Sequence, residues 1–515
     1  MRLIRCLLAG LMVGIGFKEI PFGWVIAVFG FVLFAYHFKQ FSFKKSRVKN
    51  LLRYVFDLFL FALVIELIFF NWIHKPLYLF TDLPYSFGIF IYLVVCILAT
   101  IYQILLFLPF FLFLNIQKRV KRFDRWFIAL IPASLMVLLE QNLPRFIDWT
   151  YHFMFLVTES SFATYAGYFG SSTLSFLLFW MISILAGETN KKWFLKTSSA
   201  FLFGFMILML IPKVLPKPNY TEFARVGYVQ PNFYFSDPNL EGRLLQTPSL
   251  EALLDTSTQI FSSSLDADQK KLDLIVWPES VYSFTREDFS MVQSFSKTID
   301  VPILVPYSER RKGTWYSSSV LVDGDQPLPK PFDKWFLMPF GEYIPFETSF
   351  PWVGDVFRKY IMRLSSLGKG YEPTTFELRN GIKLSPMICF DAIDPRLSRA
   401  QVRNGSNFMI NHANFSWMGN SDAGALFSHI NQIRASENGR STLLVSLTGP
   451  SAFFDPEGRE LVPRTELLTK DQGWVDVPLA KKDTFYNSYY PWNALSVLFV
   501  LCAVGLLRLG RYRKI

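Results

Sequence analysis

The sequence predicts a chain of two parts, a membrane domain of about eight α-helical spans and an external α/β sandwich domain. The 515 residues are 51% hydrophobic and 17% aromatic, which is more apolar than is usual for a soluble protein of this length. Long apolar runs fill the chain up to about residue 215 and return near its end, whereas residues 216–485 are mixed in character. We therefore divide the chain into a membrane domain (1–215), an external domain (216–485) and a C-terminal helix with a basic tail (486–515).

The membrane domain is predicted from the length of its apolar runs. About 20 apolar residues in helical form cross a bilayer core of about 30 Å. The apolar runs that approach this length cover about 3–17, 20–37, 55–73, 88–114, 126–144, 166–186, 195–215 and 490–507. The first run also has features of a secretory signal peptide, but it lacks a small-residue cleavage site and is followed at once by further runs. We expect it to remain as a helix.

The orientation follows from the lysines and arginines. Every second connection is basic: "KQFSFKKSRVKNLLR", "QKRVKRFDR", "KKWFLK" and the tail "RLGRYRKI". Basic loops face the cytoplasm, so both termini are predicted to be cytoplasmic and residues 216–485 to lie outside. These loops account for most of the net charge of +11, and we expect no nucleic-acid partner.

The external domain alternates between two patterns. The segments "ARVGYVQPN", "KLDLIVWPES" and "IKLSPMICFD" are apolar and strand-like, and they end at a proline or a polar residue. The segments "LEALLDTSTQIFSSSL" and "GALFSHINQIRASENG" have helical spacing. Strands that alternate with helices predict an α/β sandwich.

Three polar residues follow or lie between the predicted strands of this domain. Glu279 follows "LIVWP", Lys334 lies in "PFDKWFLMPFGEYIP", and Cys389 follows "LSPMI". Cys389 is the only cysteine outside the predicted spans, so a disulfide within the external domain is excluded. A carboxylate can take the proton of a thiol nucleophile, and an ammonium can stabilise an oxyanion. The three residues together therefore predict acyl transfer through a thioester.

In these contexts, "VWPES", "DKWFLMPFGEYIP" and "ICFD", the sequence resembles the nitrilase superfamily. Together with the surrounding apolar runs, it resembles the apolipoprotein N-acyltransferases over essentially the whole chain. The resemblance implies an αββα sandwich that moves an acyl chain from a glycerophospholipid to the N-terminal amine of a diacylglyceryl-cysteine apolipoprotein. It implies membrane lipid as a further partner and no cofactor or metal.

The resemblance also implies roles for individual residues. Glu279 would be the general base and acid, Lys334 the oxyanion stabiliser and Cys389 the nucleophile, with Glu342 of "PFGE" supporting the site. Four residues are expected to support the site or bind substrate: Phe390, Asp391, Asn414 and Trp417.

The chain departs from the family pattern at four positions. Phe390 and Asp391 stand where Tyr and Glu are common, Phe415 where Asp is usual, and Phe336 where His is common. These departures concern the substrate more than the nucleophile.

Alternative interpretations remain for several segments. Residues 351–367 have the pattern of a basic amphipathic helix, which would lie either on a membrane surface or on the core of its own domain. Glu66, inside an apolar run, would form either an interhelical hydrogen bond or part of a proton path. His412 is a weaker candidate, as a base for Cys389. Glu140 and Arg145 would either pair with each other or contact a lipid head group.

Two other functions are compatible with parts of the sequence. A membrane-tethered amide hydrolase acting on a small soluble amide would use the same three residues. A receptor or transporter with an external binding domain would need only the spans. In that last case Cys389 would be dispensable.

Overall fold

The computed structural model describes residues 2–18, 20–39, 47–74, 84–143, 154–157, 159–233, 249–268, 270–280, 282, 284–360, 366–480, 483–489 and 492–512. Arg145 and the central part of the predicted amphipathic segment, 361–365, lie outside these residues. The chain forms two compact units. One comprises Met1–Asn71, Ile89–Pro216 and Phe485–Ile515, and the other comprises Trp72–Gly88 and Lys217–Thr484.

The first unit is helical. Its described α-helices are α1 (Arg2–Ile15), α2 (Gly23–Lys39), α3 (Arg47–Phe69), α4 (Tyr85–Leu106), α5 (Leu108–Arg119), α6 (Arg122–Ile128), α7 (Leu130–Asn142), α8 (Met154–Val157), α9 (Ala166–Phe169), α10 (Ser172–Gly187), α11 (Lys191–Val214), α17 (Phe485–Tyr489) and α18 (Trp492–Gly510). A 3₁₀ turn, Ser160–Tyr165, precedes α9.

Few of these helices satisfy the length and composition expected of a membrane span. Among the described residues, the continuous stretch Tyr85–Arg119 and helix Lys191–Val214 are long and apolar enough. The pair Ser160–Phe169 and Ser172–Gly187 would make a third span if its 103° bend belongs to one crossing. The bend lies at Gly170, whose φ of +76° suits a residue without a Cβ atom. A helical membrane region is thus supported, while the number of about eight spans stays a prediction.

Small residues allow close helix packing in this unit. A Cβ atom on Gly10 of α1 would lie 2.5 Å from the carbonyl oxygen of Phe61 in α3. A Cβ atom on Gly30 of α2 would lie 2.9 Å from the carbonyl oxygen of Ala9. Glycine at a helix contact lets two backbones approach without such a clash, so these positions fix how α1 packs between its neighbours.

Buried polar groups also join the helices. The Glu66 carboxylate of α3 accepts a hydrogen bond from Gln103 Nε2 of α4 at 3.0 Å. Of the two roles considered for Glu66, the structure therefore contains the interhelical hydrogen bond.

The second unit is built on two mixed β-sheets. Its strands are β1 (Phe223–Gln230), β2 (Leu274–Val276), β3 (Ile303–Arg311), β4 (Thr314–Val322), β5 (Phe332–Asp333), β6 (Phe376–Glu377), β7 (Lys383–Ile388), β8 (Phe408–Ala413), β9 (Ser441–Ser446), β10 (Ala452–Phe454) and β11 (Asp471–Pro478). The first sheet has the order β11-β1-β2-β3-β4-β5 and the second the order β10-β9-β8-β7-β6. The neighbours β1, β2 and β3 are parallel, as are β7, β8 and β9.

Helices cover these sheets. They are α12 (Leu250–Asp268), α13 (Arg286–Ile299), α14 (Pro351–Tyr360), α15 (Pro395–Arg403) and α16 (Ala423–Asn438). Leu253 and Ile260 of α12 and Val292 of α13 share a buried apolar cluster with Ile275 of β2 and Ile303 of β3. Because apolar faces of helices and sheets are stable only when buried against each other, this packing makes the domain a layered α/β sandwich. The predicted fold of the external domain is confirmed.

Candidate active site

Cys389 occupies a sharp turn at the end of β7. It begins a 3₁₀ turn, Cys389–Ile393, and has a φ of +49°, which only glycine adopts without strain. The turn is held from both sides, because Asn411 Nδ2 donates to the Cys389 carbonyl at 3.2 Å and Asp391 accepts from the Ile388 N–H at 2.9 Å. Strained backbone of this kind is typical of functional turns, and here it belongs to the predicted nucleophile.

Glu279 and Lys334 come from the other sheet. Glu279 lies three residues beyond the end of β2, and Lys334 directly follows β5. Lys334 is 1% exposed, and its Nζ lies 3.2 Å from Glu279 Oε1 and 2.5 Å from Glu342 Oε1. The Cys389 thiol lies close enough to the Glu279 carboxylate for the two groups to influence each other's pKa. The structure thus brings together Glu279, Lys334, Glu342 and Cys389, four of the residues that the sequence singles out.

The electrostatics of this cluster are set by burial. Burial raises the pKa of Glu279, and the Lys334 cation opposes this rise only in part. Burial disfavours the charge on Lys334, but Glu279 and Glu342 outweigh it and hold the pKa of Lys334 well above its usual range. Burial, reinforced by the negative charge of Glu279, also raises the pKa of the Cys389 thiol. The resting site therefore combines a neutral thiol with a carboxylate of enhanced basicity.

Asp391 organises the backbone around the lysine. Its Oδ1 accepts from the N–H groups of Trp335 at 2.9 Å and Phe336 at 2.6 Å, while its Oδ2 binds the N–H of Ile388. Burial raises the pKa of Asp391 to about 7, although Lys334 and the N–H groups of Ile388 and Phe336 act in the opposite direction. Asp391 therefore joins the segment after Lys334 to the strand that carries Cys389.

The aromatic residues singled out in the sequence pack against other aromatic rings. The rings of Phe336 and Phe390 are stacked with centroids 5.6 Å apart. Trp417 is half-buried and meets Trp72 edge to face at 5.5 Å. Phe415, at another departure from the family pattern, packs against Phe427 at 5.3 Å and is fully buried.

Asn414 and Glu342 make backbone contacts close to Cys389 and Lys334. The backbone N–H of Asn414 lies near the Cys389 sulfur and acts to lower the pKa of the thiol, against the larger effect of burial. The Asn414 side chain instead accepts from the Ser416 N–H at 3.0 Å. Glu342 Oε2 accepts from the Met338 N–H at 2.8 Å, which fixes the carboxylate beside Lys334.

The alternative in which His412 serves as a base for Cys389 is wrong. Its Nδ1 lies 2.6 Å from the Trp277 carbonyl oxygen and its Nε2 lies 3.0 Å from Ser319 Oγ. Both ring nitrogens are therefore engaged away from the thiol. Sequence reasoning missed these contacts and that of Asn411, although polar residues in the otherwise apolar run "FMINHA" were a signal that buried hydrogen bonds were needed.

One group of potential metal ligands occurs among the described residues, and it lies in the helical unit. Cys6, His37 and Asp57 place one ligand atom each within 4.8 Å of one another. Both oxygens of Asp57 are already hydrogen-bonded by Arg2, and one of them also lies 2.8 Å from His37 Nε2. The arrangement is that of a buried ion-pair network joining α1, α2 and α3.

Comparison with known sequences places this geometry in context. The family described as "Carbon-nitrogen hydrolase" matches residues 225–481. An apolipoprotein N-acyltransferase of Haemophilus ducreyi is 25% identical over 377 residues, which cover 69% of this chain and 70% of that protein. Relatives of the same name from Rhizobium rhizogenes (28% identity, 46% of each chain) and Treponema denticola (29% identity, 49% of this chain and 50% of the relative) match over shorter regions. The chain thus matches about half the length of most of these relatives.

Solved structures are similar to about half of the chain. A Saccharomyces cerevisiae protein of branch 10 of the nitrilase superfamily covers 56% of this chain and 97% of its own, with 16% identity and a TM-score of 0.37. An amidase from Nesterenkonia sp. AN1 covers 54% of this chain and 99% of its own, with 14% identity and a TM-score of 0.38.

Proposed function

This chain is a member of the nitrilase superfamily related to the apolipoprotein N-acyltransferases, and on that basis we propose that it transfers an acyl chain from a glycerophospholipid to the N-terminal amine of diacylglyceryl-cysteine apolipoproteins. The observation that carries the proposal is the cluster of buried Glu279 and Lys334 with half-buried Glu342, beside the strained Cys389. It is the constellation that thioester chemistry requires. The reaction is the last step of bacterial lipoprotein maturation.

The first half-reaction loads the enzyme. Glu279 takes the thiol proton as Cys389 Sγ forms a bond to the ester carbonyl carbon of the phospholipid. Lys334 Nζ and a backbone N–H, for which the N–H of Asn414 is well placed, stabilise the oxyanion of the tetrahedral intermediate. The ester C–O bond then breaks, and Glu279 returns the proton to the departing oxygen. A lysophospholipid leaves and a thioester remains on Cys389.

The second half-reaction uses the same groups. The acceptor amine attacks the thioester carbon, Glu279 removes a proton from the amine, and the new C–N bond forms. The C–S bond breaks as the proton passes to the sulfur, so the thiol is regenerated. Stacked Phe336 and Phe390 provide an apolar wall next to Cys389, which suits an acyl chain and disfavours water.

The proposal includes the membrane arrangement. The helical unit is embedded as a multi-pass domain of about eight spans in the inner membrane, with both termini cytoplasmic and the nitrilase-like domain on the periplasmic side. Both substrates are then held in the same bilayer as the enzyme, and this confinement raises their effective concentration.

Intact mass spectrometry tests the proposal. Purified protein incubated with phospholipid and no acceptor is expected to gain the mass of one acyl chain, and hydroxylamine should remove it. Cys389→Ala should abolish the adduct, whereas Cys502→Ala, which removes a half-buried cysteine of the helical unit, should retain it. An acceptor peptide with a diacylglyceryl-cysteine should discharge the adduct. Absence of any adduct on folded protein, with turnover of small soluble amides, would instead support the amide hydrolase.

A further inference from the structure

His412 is a fully buried histidine at the junction of the two sheets. It lies in β8 and is 0% exposed. Its Nδ1 is 2.6 Å from the backbone carbonyl oxygen of Trp277, and its Nε2 is 3.0 Å from Ser319 Oγ. Trp277 and Ser319 both belong to the first sheet or its strand ends, so a single side chain of the second sheet holds two points on the first.

The contacts fix the state of the imidazole. A carbonyl oxygen can only accept a hydrogen bond, so Nδ1 carries the hydrogen and donates it to Trp277. Nε2 is then an acceptor, and the Ser319 hydroxyl donates to it. Burial lowers the pKa of His412 to about 4, against the effect of the Trp277 carbonyl, which keeps the ring neutral. A neutral ring with one donor and one acceptor matches both partners.

Each partner of His412 is close in sequence to a residue of the proposed triad. Trp277 is separated from Glu279 only by Pro278. Ser319 pairs with Phe332 in β5, which ends one residue before Lys334, and the Lys334 N–H donates to the Ser317 carbonyl at 2.8 Å. His412 itself is opposite Ile388, the residue before Cys389. His412 therefore adjoins all three segments, two through its side chain and the Cys389 segment through strand pairing.

We propose that His412 is a positioning residue that sets the separation between Cys389 in one sheet and the Glu279–Lys334 pair in the other. This inference rests on the proposed function of that site. Glu279 and Lys334 are held to each other by their ion pair, but Cys389 reaches them from a different sheet. A hydrogen-bonded link between the sheets limits how far the thiol can drift from its base.

Three variants separate this role from a general packing role. His412→Val removes both hydrogen bonds, His412→Asn keeps an N–H for the Trp277 carbonyl, and Ser319→Ala removes only the Nε2 contact. A buried histidine elsewhere in the domain supplies the control. His429 of α16 bonds Gln432 Oε1 at 3.0 Å, and His429→Asn is expected to retain the wild-type rate.

The readout is the rate constant for acylation of Cys389 by phospholipid, followed by intact mass at varied donor concentration. His412→Val should lower this rate constant by about 100-fold, because displacements of about 1 Å have that effect on positioned groups. The donor concentration giving half-maximal rate should stay unchanged. The acylation rate constant should fall less in His412→Asn and in Ser319→Ala than in His412→Val.

A second readout keeps the inference independent of the donor. Alkylation of Cys389 by iodoacetamide needs only the thiol and the groups that deprotonate it, and it should also be slower in His412→Val. If wild-type protein is alkylated but never acylated by phospholipid, the proposed function fails while the positioning role is still measured. If His412→Val does not fold, the other two variants decide. Wild-type rates of acylation and alkylation in folded His412→Asn and Ser319→Ala would overturn the inference.

Discussion

The charges around Cys389 determine how its thiol must react. Two carboxylates, Glu279 and Glu342, surround the single ammonium of Lys334. If all three are charged, the cluster carries an excess negative charge before any thiolate forms. A resting thiolate is therefore disfavoured, in agreement with the raised pKa of Cys389. Deprotonation of the thiol and its attack on the ester are expected to be coupled. Glu279 then accepts the proton in the same step in which the Cys389 sulfur attacks.

Replacing Glu279 by Gln should all but abolish formation of the acyl-enzyme. An amide cannot take the thiol proton, and general base catalysis typically contributes about 100- to 10,000-fold. The measurement is the rate of mass gain on Cys389 with phospholipid. Glu309→Gln is the matched control, since Glu309 is a more exposed carboxylate in β3 that pairs with Arg311 at 3.2 Å. Equal rates for the two variants would contradict the role of Glu279 as base.

The pH dependence of acylation should reflect the raised pKa of Glu279. Only the ionised carboxylate can accept the thiol proton, so the rate should fall as the pH is lowered through that pKa. Because burial and Glu342 both raise the pKa of Glu279, the acylation rate should begin to fall at a higher pH than for an ordinary glutamate, whose pKa is about 4.3.

Glu342→Gln provides the internal check of this pH profile. It removes a neighbouring negative charge and leaves Lys334 to act on Glu279 alone, so the midpoint should move to lower pH even if the maximal rate falls. A midpoint that stays in place or moves to higher pH would argue against Glu279 as the titrating group.

At the scale of elements, the sequence pattern predicted individual strands and helices, which depend on neighbouring residues. The segment "ARVGYVQPN" forms β1 (Phe223–Gln230), and helical spacing over 250–265 corresponds to α12. Hydropathy was less informative about breaks inside apolar runs. The predicted run 88–114 is divided between α4 and α5 at Phe107, and the run 126–144 is divided between α6 and α7 at Ala129, although i→i−4 hydrogen bonds continue through both residues. Apolar composition does not record such local changes in helix geometry.

The candidate site shows the same limit. Sequence contexts predicted roles for Glu279, Lys334 and Cys389, because each follows or lies within a recognisable motif. They did not reveal the contacts of His412, whose partners are 135 and 93 residues away in sequence. Such pairings depend on how the two sheets face each other, which no local pattern encodes. Asp391 was expected near the site, but its three backbone hydrogen bonds became evident only from the fold.

Asp391→Asn should destabilise the link between the segment after Lys334 and β7. An amide offers one acceptor oxygen, so at least the Ile388 N–H would face an NH₂ group and lose its partner. A buried unsatisfied donor costs about 1–3 kcal/mol. The expected result is a lower apparent Tm, by about 2–4 °C per kcal/mol, together with slower acylation.

The control for this variant is Asp325→Asn. Asp325 is exposed and pairs with Lys297 on the surface, where an ion pair contributes little to stability. Its apparent Tm should stay close to that of the wild type. An unchanged Tm in Asp391→Asn as well would show that the three backbone bonds are dispensable.

At the scale of the whole molecule, the arrangement of charge argues for one orientation. Basic residues of the helical unit flank connections between its helices. Arg122 and Arg125, at the start of α6, share Glu188, which directly follows α10, and Arg122 stacks on Trp193 of α11 at 3.5 Å. Basic loops resist translocation. A domain that follows α11, which begins just after Glu188, would then emerge on the opposite side. The proposed function requires the nitrilase-like domain on that side.

Cysteine labelling tests this orientation directly. In a Cys389→Ala/Cys502→Ala background, Ser290→Cys lies on the exposed surface of α13 and Thr189→Cys lies in the exposed connection between α10 and α11. A membrane-impermeant maleimide added to intact bacterial spheroplasts should react with Ser290→Cys only. After permeabilisation both should react, which shows that Thr189→Cys is accessible and was protected only by its side of the membrane. Labelling of Thr189→Cys in intact spheroplasts, with Ser290→Cys protected, would reverse the orientation and leave the nitrilase-like domain without access to its proposed acceptors.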